Sequence, residues 1–338
     1  MKNKVCVVTV TYGNRFHLLK QVIEAALSCG LHKIIVVDNN SDLESKNKLV
    51  EYEKLHNDKI EVLYLNDNYG SAGGYKRGLE TAYNDPECEF IWLLDDDCVP
   101  EKNALTRLVK FYNKKLQESD NNNFALSSFR PSMRNSIKLL ADGKKKTADL
   151  IFRKYNTYKG FHILGFPFYL LMKLKIIDIN KKFDYDIVKT IEVDAIGYSG
   201  LFFNKKIIQK IGYPDEGFYL YEDDIDYTYR ITKKWNGKIF VVMNSLLQDL
   251  ELSYSFDSFS IVSLSCYKLY YSLRNTIIIE KKYNVKNSFV FNINKYTFRI
   301  LLKILYFIKY ISKERYQLVI KALGDGERCI TGKIYKES

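Results

Sequence analysis

Phe90-Ile91-Trp92-Leu93-Leu94-Asp95-Asp96-Asp97 joins a short apolar run directly to three consecutive carboxylates. The apolar part has the length and composition of a strand that is buried on both faces. Three adjacent carboxylates at the end of such a strand are costly to bury without an opposite charge. Since Mg²⁺ and Mn²⁺ prefer oxygen ligands, we predict a divalent cation site here. A solvated acidic turn before Pro100 is the alternative interpretation.

The alternation of side chains along a strand assigns different roles to the three aspartates. Asp95 and Asp97 share a face and are the predicted metal ligands. Asp96 points away from them and is predicted to face the ribose of a nucleotide or to support the ligands.

The sequence before the triplet alternates apolar runs with helical patterns. The runs are Lys4–Thr11, Lys33–Asp38, Ile60–Asn66 and Glu89–Asp95. This pattern predicts βαβ units, and therefore an α/β fold with a mostly parallel central sheet. In such sheets ligands bind at the carboxyl ends of the strands. The four polar clusters at these ends are Thr11–Arg15, Asp38–Ser41, Asn66–Gly70 and Asp95–Asp97.

A second acidic constellation lies in the stretch Tyr221–Arg230. Asp226 and Arg230 are spaced to pair on one helix face, which leaves Asp223 and Asp224 as candidates for a general base. Capping of a helix N-terminus is the alternative explanation for one or two of these acids.

Five motifs in this order resemble the inverting family 2 glycosyltransferases, most closely their rhamnosyl- and galactofuranosyltransferase branch. The motifs are VVTVTYGNR, VVDNNS, NDNYGSAGG, WLLDDDCVP and YEDDIDYTYR. The resemblance covers roughly residues 5 to 274 and extends weakly into Lys321–Gly326 and Thr331–Lys333. It implies a nucleotide-diphospho-sugar transferase (GT-A, Rossmann-like) fold with a helical C-terminal extension.

The resemblance also implies roles for single residues. The donor nucleotide is contacted by residues at the first three strand ends, and the aspartate triplet holds the metal, Mn²⁺ or Mg²⁺. Asp224 is the catalytic base, with Asp223 as its neighbour. The residues implied in nucleotide binding are Thr11, Arg15, Asp38, Asn39, Asn68, Gly70, Gly73, Asp95 and Asp96, and Gly73 and Gly74 let a helix approach.

The sequence departs from the galactofuranosyl branch at the metal site. That branch has a histidine about two dozen residues beyond the base, whereas all four histidines here lie before Asp224. Gln248 and Asp249 stand at the expected position. The third ligand is therefore Gln248, Asp249 or water, and an oxygen ligand suits Mg²⁺ or Mn²⁺.

Composition sets the broad class of the chain. Its 338 residues are 46% hydrophobic and 27% charged, which indicates a globular protein. The six scattered cysteines and the lack of a signal peptide predict a cytoplasmic location. We expect a catalytic domain at 1–256, with an insertion at about 121–186, and a basic helical region at 257–338.

The C-terminal region carries most of the net charge of +12, with fifteen Lys/Arg against five Asp/Glu after residue 264. A basic stripe is predicted on one helix at Lys295, Arg299, Lys303, Lys309 and Lys313. Ile300, Ile304, Phe307, Ile308 and Ile311 take the opposite side. This pattern predicts a helix lying on the anionic inner face of the cell membrane, and no nucleic-acid motif occurs. The alternative is packing on the catalytic domain or on a second subunit of a homo-oligomer.

Several functions compete at this stage. The favoured donor is UDP-galactofuranose and the alternative is dTDP-rhamnose, with a lipid-linked bacterial surface polysaccharide as the acceptor. A nucleotide-sugar pyrophosphorylase would need a Gly-rich basic loop after the first strand, where Thr11–His17 has one Gly and one Arg. A non-catalytic module that binds glycan or membrane is the third interpretation.

Overall fold

A computed structural model describes residues 4–118, 123–131, 154–173, 190–251, 261–262 and 264–335. The chain divides into two compact units. The first contains the described residues of 1–133, 184–216 and 223–253, and the second contains those of 134–183, 217–222 and 254–338. The boundary predicted at residue 256 therefore differs from the structure, which assigns two earlier segments to the second unit.

Helices and strands alternate along the described chain. The helices are α1 (Phe16–Ser28), α2 (Leu43–Leu55), α3 (Gly70–Asn84), α4 (Ala104–Glu118), α5 (Phe166–Lys173), α6 (Ile208–Ile211), α7 (Asp223–Tyr229), α8 (Cys266–Ile279), α9 (Ser288–Phe307) and α10 (Lys313–Glu327). The strands are β1 (Val5–Thr11), β2 (Lys33–Asp38), β3 (Ile60–Tyr64), β4 (Phe90–Leu93), β5 (Cys98–Pro100), β6 (Phe124–Phe129), β7 (Thr190–Val193), β8 (Leu201–Asn204) and β9 (Lys238–Asp249).

The first unit is built on a nine-stranded sheet in the order β3-β2-β1-β4-β8-β6-β9-β5, with β7 also paired to β9. Strands β1 to β4 are parallel, as the alternating pattern predicts. Beyond β4 the regular crossover helices end, and β8 lies antiparallel to both of its neighbours. The predicted α/β fold is confirmed, but the sheet is mixed where a mostly parallel one was predicted.

Strand β6 corrects the predicted insertion at about 121–186. It lies inside the sheet between β8 and β9, and all six of its residues are buried. The prediction missed this strand because two serines stand in its buried centre; the Ser128 hydroxyl hydrogen-bonds that of Ser245 at 2.9 Å. Residues 154–173 belong to the second unit, and 132–153 and 174–189 lie outside the described residues.

Helix α3 lies close to β1 because two of its glycines face the strand. A Cβ added to Gly74 or Gly78 would lie 2.6 Å or 2.4 Å from a valine methyl group of β1. Neither position has room for a side chain without movement of the helix. Gly73 faces Tyr69 instead, with 2.5 Å between an added Cβ and the tyrosine Cβ. This packing fixes the N-terminus of α3 beside the carboxyl end of β1.

The second unit has an aromatic core and a buried arginine. Tyr270 and Tyr271 of α8 are fully buried in the core. The Arg274 guanidinium is also fully buried and donates to the carbonyl oxygens of Gly217, Phe218 and Gly332. The neighbouring Asn275 donates to three carbonyl oxygens between residues 218 and 221. These bonds explain why segment 217–222 belongs to this unit.

The C-terminal region is helical, as predicted, but its basic stripe does not lie on one helix. Helix α9 ends at Phe307 and α10 begins at Lys313, and Lys309 between them has a φ of 58°. Lys295 and Arg299 form ion pairs with Glu327 of α10 at 2.8 Å and 2.7 Å. None of the described helices combines the length and apolar character needed to cross a membrane.

Candidate active site

The carboxyl ends of β1, β2 and β4 bring together polar residues that the sequence singled out. Thr11 and Asp38 are register partners at the ends of β1 and β2. Both are buried, and the Thr11 hydroxyl donates to Asp96 Oδ2 at 2.8 Å. The first strand end and the aspartate triplet are therefore in direct contact.

Asp96 is held in an internal ion pair. The Arg15 guanidinium donates to both carboxylate oxygens of Asp96 at 2.9 to 3.1 Å. Burial raises the pKa of Asp96 to about 6, although Arg15 and Thr11 favour its ionised form. Arg15 also donates to Asp97 and Glu251, so its guanidinium contacts three carboxylates. The predicted contacts of Asp96 with ribose and of Arg15 with the donor stay predictions.

Asp95 and Asp97 lie on the other side of the triplet, next to each other. One oxygen of each, together with Cys98 Sγ, lies within 4.8 Å of the others. Because β4 ends at Leu93, a turn and not strand alternation produces this arrangement. Burial and repulsion from Asp95 raise the pKa of Asp97. A divalent cation would relieve this repulsion.

Cys98 orients the carboxylates around it. Its thiol lies 3.4 Å from Asp97 Oδ1 and 3.3 Å from Asp249 Oδ1, and its one proton can be donated to either oxygen. Burial raises the pKa of the Cys98 thiol far above its usual range, so the sulfur is neutral. A neutral thiol is a poor ligand for a hard cation, and the carboxylate oxygens are the better ligands.

The pairing of β5 with β9 separates the two residues considered for the third ligand. Asp249 is the register partner of Cys98, and Gln248 is the partner of Val99. Adjacent residues of a strand point to opposite faces, so Asp249 lies at the acidic cluster and the exposed Gln248 faces away. Of the alternatives left open by the sequence, Asp249 has the better position. Ligation by Gln248 stays a prediction that this register does not favour.

Negative charge exceeds positive charge at this end of the sheet. Arg130 Nη1 contacts Asp95 Oδ2 at 3.4 Å and Asp249 Oδ1 at 3.6 Å. The cluster thus contains two arginines, Arg15 and Arg130, and five carboxylates. The carboxylates are those of Asp95, Asp96, Asp97, Asp249 and Glu251. This excess of carboxylate oxygens fits a divalent cofactor such as Mn²⁺ or Mg²⁺.

The residues predicted to line the nucleotide form a connected network. The Asn39 side chain donates to Asn68 Oδ1 and to the Gly70 carbonyl oxygen, both at 3.0 Å. Gly70 has a φ of 70°, which suits glycine at the start of α3. Asp38 Oδ1 accepts the Ser41 N–H at 2.9 Å, while its other oxygen, Oδ2, is buried and has no hydrogen-bond partner among the residues that the structure describes. A buried carboxylate oxygen in this state is a site for a donor from a ligand.

Asp223 and Asp224 begin helix α7 and differ in their surroundings. Asp223 is 2% exposed and accepts the Ser71 hydroxyl at 2.8 Å. Burial and the nearby Asp224 raise its pKa well above the usual range. Asp224 is only half-buried, and its Oδ2 would lie 3.1 Å from a Cβ added to Gly197. The predicted ion pair of Asp226 and Arg230 is confirmed at 3.2 Å.

Sequence reasoning missed Arg130 and the role of the turn Gly197–Gly200. Arg130 follows β6, which had been taken as part of an insertion. The Ser199 hydroxyl accepts the Asp95 N–H at 3.1 Å, and the Tyr198 ring packs on Tyr75, whose hydroxyl donates to Asp95 at 2.8 Å. The sequence Gly-Tyr-Ser-Gly predicts a turn, but it does not indicate that this turn contacts the aspartate triplet.

Comparison with known protein families finds a match for the part of the chain that contains the aspartate triplet. Residues 6–159 match the family model described as Glycosyl transferase family 2. The matched region, somewhat less than half of the chain, is therefore similar to glycosyltransferase family 2. The match agrees with the family to which the motifs point, while the branch within the family stays a prediction. No curated protein sequence matches the chain.

Solved glycosyltransferases share the fold of this domain. GalNAc-T7 with UDP, GalNAc and Mn²⁺ matches with a TM-score of 0.51 at 13% identity, over 82% of this chain and 48% of its own. S. aureus TarS 1–349 with UDP-GlcNAc gives 0.51 at 16%, over 97% and 81%. The Pyrobaculum calidifontis mannosyltransferase PcManGT with GDP-Man and Mn²⁺ gives 0.50 at 13%, over 98% and 76%. This chain spans about half the length of GalNAc-T7, and the likeness establishes the GT-A fold.

Proposed function

We propose that this chain is a metal-dependent, inverting glycosyltransferase that moves a sugar from a nucleotide-diphosphate donor to an acceptor hydroxyl. One observation carries the proposal. The turn Gly197–Gly200 contacts Asp95 of the acidic cluster through Ser199 and lies against Asp224 through Gly197. A single segment thus separates a site for a leaving diphosphate from a carboxylate able to accept a proton.

The acidic cluster provides the place for the donor diphosphate. Asp95 and Asp97, with Asp249 beside them, are the residues that would hold Mn²⁺ or Mg²⁺. The bound cation supplies positive charge to the departing diphosphate. The solved structures of GalNAc-T7 and PcManGT contain Mn²⁺ together with UDP and GDP-Man, respectively, which supports this assignment.

The ends of β1 and β2 provide the place for the nucleotide. The unpartnered Oδ2 of Asp38 accepts a hydrogen bond from the base or the ribose, and Asn39 holds the Asn68–Gly70 turn beside it. UDP-galactofuranose is the preferred donor and dTDP-rhamnose the alternative, on the resemblance of the motifs to that branch alone.

Asp224 supplies the general base in this proposal. Its carboxylate accepts the proton of the acceptor hydroxyl, and the hydroxyl oxygen forms a bond to the anomeric carbon. The bond from that carbon to the diphosphate breaks at the same time, so the nucleoside diphosphate leaves and the anomeric configuration inverts. Burial beside Asp224 raises the pKa of Asp223, which favours its protonated form, and Asp223 supports the geometry of its neighbour.

We extend the proposal to the acceptor and to the cellular location of the reaction. We take the acceptor to be a growing, lipid-linked bacterial surface polysaccharide at the inner face of the cell membrane. The support is the basic character of the C-terminal region, which favours an anionic surface.

A panel of UDP-, dTDP- and GDP-sugars tests the proposal with the purified chain in Mn²⁺, Mg²⁺ or EDTA. We expect one donor to release its nucleoside diphosphate in the presence of metal and not in EDTA. Formation of nucleoside triphosphate from donor and pyrophosphate would instead identify a pyrophosphorylase. A chain that neither cleaves nor binds any donor would be a non-catalytic module.

A further inference from the structure

Helix α9 exposes a continuous apolar stripe along its length. Six side chains on this stripe are exposed, from 37% for Ile293 to 72% for Phe289. At about 3.6 residues per turn they fall within about 80° of one another on the helix. The members of the stripe are Phe289, Ile293, Tyr296, Ile300, Ile304 and Phe307.

The opposite face of α9 is also apolar and is already packed. Phe291, Phe298 and Leu302 are buried in the core of the second unit. The apolar residues that were predicted on one side of this helix differ in exposure. Ile311 is buried, whereas four others are exposed: Ile300, Ile304, Phe307 and Ile308. A helix that is apolar on two faces is stable in water only when both are covered. The exposed stripe therefore needs an apolar partner from outside the described chain.

The charges near the stripe indicate what that partner is. No acidic residue occurs from 281 to 313, whereas eight Lys and Arg do. Lys286, Lys303, Lys309 and Lys313 are exposed near the stripe or at its ends. Glu327 pairs with Lys295 and Arg299 on one edge of the helix, so the cations beyond that edge set the local potential. An apolar surface bordered mainly by cations complements an anionic lipid surface.

We infer that α9 is a membrane-docking helix whose exposed stripe enters the surface of an anionic bilayer. The 20 residues of α9 extend over about 30 Å, but Lys295, Arg299 and Lys303 within the helix favour contact along the membrane plane over a crossing. Lysines beside the stripe bind lipid phosphates while Phe and Ile side chains enter the acyl boundary. This inference locates the membrane contact of the proposed function on one helix face, and its test does not depend on the donor or on catalysis.

Vesicle flotation tests the inference with the full chain. Vesicles of phosphatidylcholine are prepared with and without phosphatidylglycerol. The test variant replaces Phe289, Ile300 and Phe307 by Gln. The control variant replaces Leu43 and Leu55 by Gln, since these two residues are equally exposed but lie on α2. Circular dichroism melting verifies that each variant is folded.

We expect the wild type and the control to float with anionic vesicles. Each lost apolar side chain lowers binding roughly tenfold, so the triple variant should bind about 10²–10³-fold more weakly. Lys303→Gln with Lys309→Gln should weaken binding roughly fivefold per lysine, and only for anionic vesicles.

Three outcomes would overturn the inference. The first is a folded triple variant that floats as well as the wild type, and the second is a wild type that does not float. The third is a wild-type dimer, measured by light scattering, that the triple variant converts to a monomer, because a second copy would then cover the stripe.

Discussion

Replacement of Asp224 by Asn is the perturbation that separates the proposed base from its neighbour. Asn keeps the size of the side chain and its hydrogen bond from the Ile225 N–H, which Asp224 Oδ1 accepts at 2.7 Å. It removes only the capacity to take a proton. General-base catalysis contributes about 10²–10⁴-fold, so kcat should fall by that factor, while donor binding at the acidic cluster is kept.

Asp223→Asn is the matched control. Asp223 is buried, and burial together with Asp224 raises its pKa well above the usual range, which favours the neutral carboxyl group. The replacement keeps the size of the side chain and retains an oxygen to accept the Ser71 hydroxyl. We expect kcat to stay within about tenfold of the wild type, since a loss beyond that would correspond to more than about 1.4 kcal/mol in the barrier.

The assay is the steady-state release of nucleoside diphosphate over a range of acceptor concentrations, with donor binding followed by a shift in melting temperature. Near-normal turnover of Asp224→Asn with an inactive Asp223→Asn would refute the assignment and move the base to Asp223. Near-normal turnover of both variants would remove this helix from the chemistry.

Three further predictions concern stability. Gly78→Ala should destabilise the folded protein by about 1–3 kcal/mol, because the added Cβ would clash with a valine of β1. Gly324→Ala is the control: an added Cβ has room there, so this variant should be slightly more stable. Urea unfolding compares the two variants. Arg274→Met should lower stability by about 2–4 kcal/mol because bonds to three carbonyl oxygens are lost. Arg328→Met should change stability by less than about 1 kcal/mol, because the Arg328 side chain is 66% exposed in its ion pair with Asp325. Burial raises the pKa of Glu280 from 4.5 to about 7, so ionisation of this group disfavours the folded state and the free energy of unfolding falls as pH rises from 4.5 to 7. Glu280→Gln should remove about 3 kcal/mol of this pH-dependent loss. An unchanged pH dependence of unfolding would contradict the assignment.

Most of the first half of the fold was predictable because its signals are local. An apolar run followed by a polar turn and a helical pattern recurs from β1 to β4, and each strand end carries its own turn residues. The aspartate triplet was recognisable for the same reason. Its internal arrangement was not, because Asp95 and Asp97 are brought together by a turn, and Asp96 is drawn inward by Arg15, about eighty residues earlier in the chain.

The parts that escaped prediction depend on long-range contacts. Strand β6 has serines at buried positions, which only their hydrogen bonds inside the sheet make acceptable. Because the sequence did not predict this strand, it also did not predict that Arg130 contacts Asp95. The sequence predicts the C-terminal basic stripe on a single helix, because hydrophobic periodicity does not reveal the break between α9 and α10. Segment 217–222 joins the second unit through a buried Arg274, whose role is invisible in a local pattern.

The central claim is that Asp95 and Asp97 bind a nucleoside diphosphate through a divalent cation. Calorimetric titration of UDP and dTDP into the wild type and into Asp97→Asn, each with Mn²⁺ and with EDTA, tests it most directly. We predict that the wild type binds one of the two nucleotides with Mn²⁺ and more than about tenfold more weakly in EDTA, and that Asp97→Asn shows the weak affinity in both conditions. Equal affinity of the wild type with and without metal, matched by the variant, would contradict the account.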